Sequence, residues 1–160
     1  MTRAYVSIGS NQEPLTHVPQ ALAELESAFG KIEQSAVYES IAVGFKGNNF
    51  INLVVGFDTS RSFEEVSEIL DRIELSCGRT RGGERFSPRT MDLDLLVFGD
   101  LVRHDDVWDI PRNEIERYAF VLKPLAELAP DDLHPELGKS FSQLWDEGEF
   151  AGQELWEVKV

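Results

Sequence analysis

The feature that most restricts the fold of this chain is the order in which its apolar residues change their spacing. Residues 3–8 (Arg-Ala-Tyr-Val-Ser-Ile) have strand composition and run into Gly9-Ser10-Asn11, a cluster that predicts a turn. Over 15–29, Val18, Leu22, Leu25 and Phe29 recur at steps of four, three and four, which is one face of a helix, and Gly30 stops it. Residues 31–38 read as a strand with Ile32 and Val37 as its apolar points. Residues 41–49 read as a loop, and 50–57 as a β-rich run interrupted by Asn52. Ser62 then opens a helix: it can cap the first turn, and Glu65 stands three residues on, as in a capping box. Phe63, Val66, Leu70, Ile73 and Cys77 form the buried stripe of that helix, Gly78 ends it, and 92–98 is a strand. The order β-α-β-β-α-β predicts the split βαβ arrangement, a mostly antiparallel sheet with helices on one face. A short helix near 113–118, a third helix after Phe120 and a last strand within 153–160 follow as C-terminal additions. The predicted class is α+β, a ferredoxin-like three-layer-type sandwich, with residues 1–160 as a single domain.

Charge narrows the function. The chain carries 29 acids against 15 bases, a formal net charge of −14, which repels nucleic-acid phosphates and argues against a duplex-binding surface. No apolar run approaches the roughly 20 residues needed to span a bilayer, and the start of the chain lacks the apolar stretch of a secretory signal. Cys77 is the single cysteine, so no internal disulfide can form and the cytoplasm is the expected compartment. The bases are not spread evenly. Arg72, Arg79, Arg81, Arg85 and Arg89 are a third of them, gathered within one short stretch.

The most informative segment follows directly: Arg85-Phe86-Ser87-Pro88-Arg89-Thr90-Met91-Asp92-Leu93-Asp94-Leu95-Leu96-Val97-Phe98. In a strand, side chains alternate faces, so Asp92 and Asp94 point one way together while Leu93 and Leu95 point the other. Two like charges held that close need compensation, and a divalent cation with a preference for hard oxygen ligands supplies it. The alternative is one acid solvated at a strand end and the other paired with Arg89. Ahead of the acids, Gly78-Arg79-Thr80-Arg81-Gly82-Gly83 sets arginines in a glycine-rich loop, where they can swing over phosphate oxygens, or can merely balance nearby acids. Asn52, inside an apolar strand, needs hydrogen-bond partners, either a ligand or neighbouring backbone. His17, His104 and His134 have neither metal-like nor triad-like spacing and receive no role.

These residues resemble a known family. Pro88-Arg89-Thr90-Met91-Asp92-Leu93-Asp94-Leu95-Leu96 is similar to the signature of the 6-hydroxymethyl-7,8-dihydropterin pyrophosphokinases. Ala4-Tyr5-Val6-Ser7-Ile8-Gly9-Ser10-Asn11 resembles the family's opening strand and turn. Arg72-Ile73-Glu74 with Gly78-Arg79 and Arg81 resembles its helix end and arginine loop, and the run from Phe120 to Pro130 its C-terminal helix. The resemblance implies transfer of the β,γ-pyrophosphate of ATP to the pterin's hydroxymethyl oxygen, in folate synthesis, leaving AMP. It implies that Asp92 and Asp94 hold two Mg²⁺ ions, and that Arg79 and Arg81 ride on a loop that closes over the triphosphate. Arg89, Glu74, Leu95, Arg112 and Arg117 would contact the nucleotide. The pterin would lie between Phe120 and Phe50 or Phe86, with Asn52 reading its amide edge and Ser40 and Val43 beside it. Small-molecule substrates, no nucleic acid, no membrane and a monomer are the expected partners and state.

Several positions depart from the family pattern. Ser87 stands where glycine or alanine is common, and Phe86 where tryptophan is. Ser40-Ile41-Ala42-Val43-Gly44 replaces a Thr-Pro-Pro-like run, and Pro111 is followed by Arg112 rather than histidine. The family arginine near the C-terminal phenylalanine corresponds to Arg117, one residue farther from Phe120. The departures leave open a paralogue with the same ATP site and another small acceptor. A non-catalytic ferredoxin-like module is the remaining alternative, and it predicts no binding of Mg²⁺-ATP.

Overall fold

The computed structural model describes residues 1–11, 14–41, 49–77 and 91–159. Strand β1 (Thr2–Ser10) is central, paired antiparallel with β4 (Phe50–Thr59) on one side and β5 (Met91–Phe98) on the other. Beyond β4 come β3 (Val37–Ser40) and then β8 (Leu155–Val158), while the short β2 (Glu33–Gln34) also pairs with β4. The order β5-β1-β4-β3 with two helices is the ferredoxin-like arrangement, and every pairing in the sheet is antiparallel.

Helix α1 (Pro14–Phe29) buries Val18, Ala21 and Leu25, and closes at Gly30, whose φ of 82° is one that a side chain would resist. Helix α2 (Phe63–Ser76) starts on the full capping box: Glu65 N–H donates to Ser62 Oγ (3.1 Å) and Ser62 N–H to the Glu65 carboxylate (3.0 Å). Its buried stripe also includes Ile69 and Glu74. Both helices cover the sheet face formed by Ala4, Val6, Ile8, Leu53, Val55, Phe57, Leu93 and Leu95.

Three features differ from the sequence expectation. Gly9 and Ser10 do not turn; they continue β1, opposite Asn52 and Ile51 of β4 and Asp92 and Met91 of β5. The predicted 31–38 strand is broken between β2 and β3, because the Ser35 hydroxyl, not a carbonyl, accepts the Val54 N–H (3.0 Å). Helices also lie on both faces of the sheet. The C-terminal part supplies α3 (Glu114–Arg117), α4 (Ala119–Leu128) and α5 (Phe141–Glu147), which pack on Tyr5, Val54, Leu96 and Val97. A small hairpin, β6 (Arg103–His104) with β7 (Asp109–Ile110), precedes a cis Ile110–Pro111 bond and delivers the chain to α3.

In β5 the pairing with β1 slips by one residue, so Leu95 faces Val6 and Val97 faces Tyr5, leaving Leu96 as the extra residue of a bulge. Leu96 and Val97 consequently both face the α4 side. No helix among the described residues is long and apolar enough to cross a membrane.

Candidate active site

Register decides which side chains share the α4 face. Asp92, Gly9 and Asn52 stand side by side across β5, β1 and β4, and Asp94 and Ser7 form the next row with Val54. These positions alternate with Leu93, Ile8 and Leu53, which fill the opposite core. The polar row opens into a cavity of about 300 Å³ between the sheet and the α3–α4 segment. It is lined by Ser7, Gly9, Ser40, Phe50, Asn52, Asp92, Asp94, Leu96, Arg112, Glu114, Tyr118, Phe120 and Val121.

Seven residues singled out from the sequence thus meet in one place: Ser40, Phe50, Asn52, Asp92, Asp94, Arg112 and Phe120. Asn52 is 3% exposed, and its Nδ2 donates to the Ser40 hydroxyl at 3.3 Å, a neighbouring side chain rather than backbone. Gly9 makes this possible, since a Cβ there would come within 3.0 Å of Asn52 Oδ1. Asp92 and Asp94 are half-buried on the cavity floor. Beside β5, Arg112 is held by Glu114 through a fork, Nε to Oε2 at 3.1 Å and Nη2 to Oε1 at 2.7 Å. Burial pulls the Arg112 pKa down, but the Glu114 carboxylate, with Asp94 and Asp109 behind it, more than offsets this and leaves it raised. Its main-chain N–H donates to Leu96 O (3.0 Å) on the outer edge of β5.

Three other candidates lie elsewhere. The Leu95 side chain is in the core against α2, so strand alternation turns it away from the cavity. Glu74 is buried in α2 and accepts the Leu93 N–H at 2.7 Å, which ties the helix to the strand between the two acids rather than lining the cavity. Arg117 is exposed at the end of α3, its guanidinium 5.8 Å from the Tyr118 ring centre, and it does not line the cavity. Arg79, Arg81, Phe86, Arg89 and Val43 fall outside the described residues.

The cavity also uses residues the sequence reading passed over. Tyr118 joins α3 to α4 in extended conformation and stacks on Phe120, ring centres 5.1 Å apart and planes 21° from parallel. The signal available was the two-residue spacing of these aromatics. Ser7 and Gly9 were legible in principle as small residues alternating with Val6 and Ile8. Glu114 was detectable only as an acid two positions from Arg112. Of the histidines left without a role, His134 is buried away from the cavity. Its Nδ1 accepts the N–H groups of Glu136 (3.2 Å) and Leu137 (3.1 Å), and burial lowers its pKa.

The donor set fits a hard divalent cation shared with a ligand. Among the described residues no cluster of three or more His, Cys, Asp or Glu forms a complete protein cage. A pair of carboxylates open to a cavity is how a protein holds magnesium together with substrate phosphates. Beside that pair stand a buried amide and aromatic rings, suited to a flat heterocycle with hydrogen-bonding edges.

Comparison with known proteins points the same way. Residues 5–130 match the family described as 7,8-dihydro-6-hydroxymethylpterin-pyrophosphokinase. A 2-amino-4-hydroxy-6-hydroxymethyldihydropteridine pyrophosphokinase of Synechocystis sp. is 38% identical over 158 residues, covering 97% of this chain and 80% of the relative. The Aquifex aeolicus protein of that name is 34% identical over 140 residues, with 84% and 85% covered. Among solved structures, wild-type Plasmodium falciparum HPPK-DHPS with SDX-DHP superposes with a TM-score of 0.72 at 15% identity, over 92% of this chain. The match spans 43% of that longer chain, and at such identity it is a likeness of fold alone.

Proposed function

The chain belongs to the 7,8-dihydro-6-hydroxymethylpterin-pyrophosphokinase family, and from that premise we propose how its cavity carries out the family's reaction. The protein is a transferase of folate biosynthesis that moves the β,γ-pyrophosphate of ATP to the hydroxymethyl oxygen of 6-hydroxymethyl-7,8-dihydropterin and releases AMP. The observation that carries the assignment of residues is the convergence of the acid pair, Arg112, Asn52 and the aromatic rings on one cavity.

In this reading Phe120 and Phe50 flank the pterin, with Phe86 as the other candidate, and Asn52 reads its amide edge while Ser40 steadies the amide and Val43 borders the ring. Asp92 and Asp94 would hold two magnesium ions, which supply charge neutralisation and alignment of the triphosphate. Arg112, Arg79, Arg81 and Arg89 contribute the remaining positive charge where the leaving and transferred phosphates carry most negative charge. Glu74 acts through the strand, by fixing the N–H between the two acids. Arg117 and the Leu95 side chain take no part, consistent with their positions outside the cavity lining. No nucleophilic side chain is required, because such a transfer depends mainly on positioning and electrostatics. The working unit is read as a monomeric, cytoplasmic, single domain.

The test is to incubate the protein with ATP, Mg²⁺ and the pterin and to separate the nucleotides. AMP formed in proportion to pterin, and abolished by chelation of the metal, is the expected result. ADP as the product would overturn the reading. A strong preference for a different small acceptor would transfer it to a paralogous activity. Light scattering of the same sample checks the monomer.

A further inference from the structure

Two helix ends meet at Tyr118. The last carbonyls of α3 and the first N–H groups of α4 have no partners within their own helices. Tyr118 itself is accounted for: its N–H donates to Glu114 O (3.0 Å), and its carbonyl accepts the N–H groups of Val121 (3.1 Å) and Leu122 (3.0 Å). The groups on either side of it, Arg117 O and Ala119 N–H, are both taken by one side chain from the C-terminal segment. Gln153 Nε2 donates to Arg117 O at 3.0 Å, and Gln153 Oε1 accepts the Ala119 N–H at 2.8 Å. A side-chain amide can do both at once, because it carries a donor and an acceptor at its tip. The two bonds straddle Tyr118, whose extended backbone (φ −121°, ψ 124°) brings its ring to the cavity.

Gln153 is anchored in its turn. Its main-chain N–H donates to Phe150 O (3.0 Å), across a bend in which Gly152 takes a φ of 83°. Phe150 stacks on Trp145 of α5, ring centres 4.8 Å apart and planes 14° from parallel. Two residues beyond Gln153, Leu155 opens β8 opposite Ser40, another residue of the cavity lining.

Resting on the reading that this cavity takes the pterin beside Phe120, we propose that Gln153 is a positioning residue for the acceptor. By clamping the peptide groups on both sides of Tyr118, it holds the Tyr118 ring against Phe120, 5.1 Å between ring centres, and so fixes the aromatic surface that meets the flat heterocycle. Tyr118 touches the ligand and Gln153 acts through it. Without the clamp, the one non-helical residue between α3 and α4 can turn about its own φ and ψ, and its ring no longer stays on Phe120.

The test is steady-state AMP formation with pterin varied at saturating Mg²⁺-ATP, and then with ATP varied at saturating pterin. Gln153→Ala is expected to raise KM for the pterin about tenfold, the scale of one or two neutral hydrogen bonds, with kcat and KM for ATP within about twofold of the wild type. Tyr118→Ala leaves both Gln153 bonds available, since they go to main-chain groups, and should raise the pterin KM about thirtyfold through loss of the ring. Adding Gln153→Ala to Tyr118→Ala should change that value by less than about twofold, because the clamp has no ring left to hold. An unchanged pterin KM in either single variant overturns the proposal, and Tyr118→Ala keeps it open to refutation where Gln153→Ala fails to fold. Equal rises for pterin and ATP also overturn it, as does a double variant whose pterin KM rises by the product of the two single effects. If the wild-type protein forms no AMP in response to pterin, the acceptor reading fails and this proposal with it, a result seen before any variant is made.

Discussion

On the face covered by α1 and α2, the strands present Ala4, Val6, Ile8, Leu53, Val55, Phe57, Leu93 and Leu95, all apolar and all buried. One residue along each of the same strands, the other face presents Ser7, Gly9, Asn52, Asp92 and Asp94. The difference teaches how one sheet serves two purposes. Strand alternation lets each segment bury an apolar side against helices while holding polar groups in register on the other side. The apolar face secures the register, and the register sets the spacing of the acids, the amide and the glycine. A substitution among the apolar residues under α1 and α2 should therefore act on stability, and one at Ser7, Gly9, Asn52, Asp92 or Asp94 on chemistry.

The most severe break of the polar face is Asp94→Asn, expected to lower pyrophosphoryl transfer by about a thousandfold, as for loss of a main electrostatic stabiliser. The AMP assay reads this, and the unfolding midpoint of the variant should stay near that of the wild type. The matching break of the apolar face is Phe57→Ala. Phe57 is wholly buried and stacks on Phe29 with ring centres 4.2 Å apart, so its loss should cost about 3–5 kcal/mol in urea unfolding. Turnover per folded molecule should survive. If Phe57→Ala abolished turnover in molecules still folded, the separation of the two faces would be wrong.

A smaller effect sharpens the polar side. Asn52→Ala should raise KM for the pterin by about thirtyfold, on the scale of one or two lost hydrogen bonds, with KM for ATP little changed. Equal rises for both substrates would remove Asn52 from the pterin subsite. The smallest effect concerns pH. His134 must accept two main-chain N–H groups at Nδ1, and burial depresses its folded-state pKa below the ordinary 6.5. The depressed pKa favours the neutral ring in the folded protein. Its contribution is present above pH 6.5 and is lost as the pH falls through the lower folded value. His134→Asn, which retains an acceptor, should flatten the acid side of the unfolding profile, and an unchanged slope would rule out this histidine as a source of acid sensitivity.

Much of this was legible in the sequence where the signal is local. The Ser62–Glu65 capping box and the stripe of α2 are written within a few residues, and the structure has both. The alternation from Asp92 to Leu95 separates acids from leucines without any tertiary information. Gly9-Ser10 misled because turn preference is a weak prior, overridden when a segment is paired on both sides in mid-sheet. The second helical layer was only half legible. Its α5 is seven residues long and is capped by Ser140, with too little periodicity to separate it from a turn. Arg117 and Tyr118 show the limit most sharply. Tyr118 is extended between two helices (φ −121°, ψ 124°), and that one residue of non-helical backbone turns the tyrosine into the cavity and the arginine outward. Glu74 meets Leu93 only because α2 docks on β5, a contact between residues far apart in the chain.

The bulge in β5 has a consequence for how the length of this strand can vary. On either side of Leu96 the partners of β1 are in step, with Asp94 opposite Ser7 and Val97 opposite Tyr5. A chain lacking Leu96 would close into an unbroken ladder with both acids still facing the α4 side, so the deletion is neutral to the frame of the strand. It would not be neutral to the wall of the cavity, because Leu96 supplies one lining side chain and the carbonyl that receives the Arg112 N–H. The supernumerary residue thus makes two things separable along one strand: where the acids stand, and where the arginine is hung beside them.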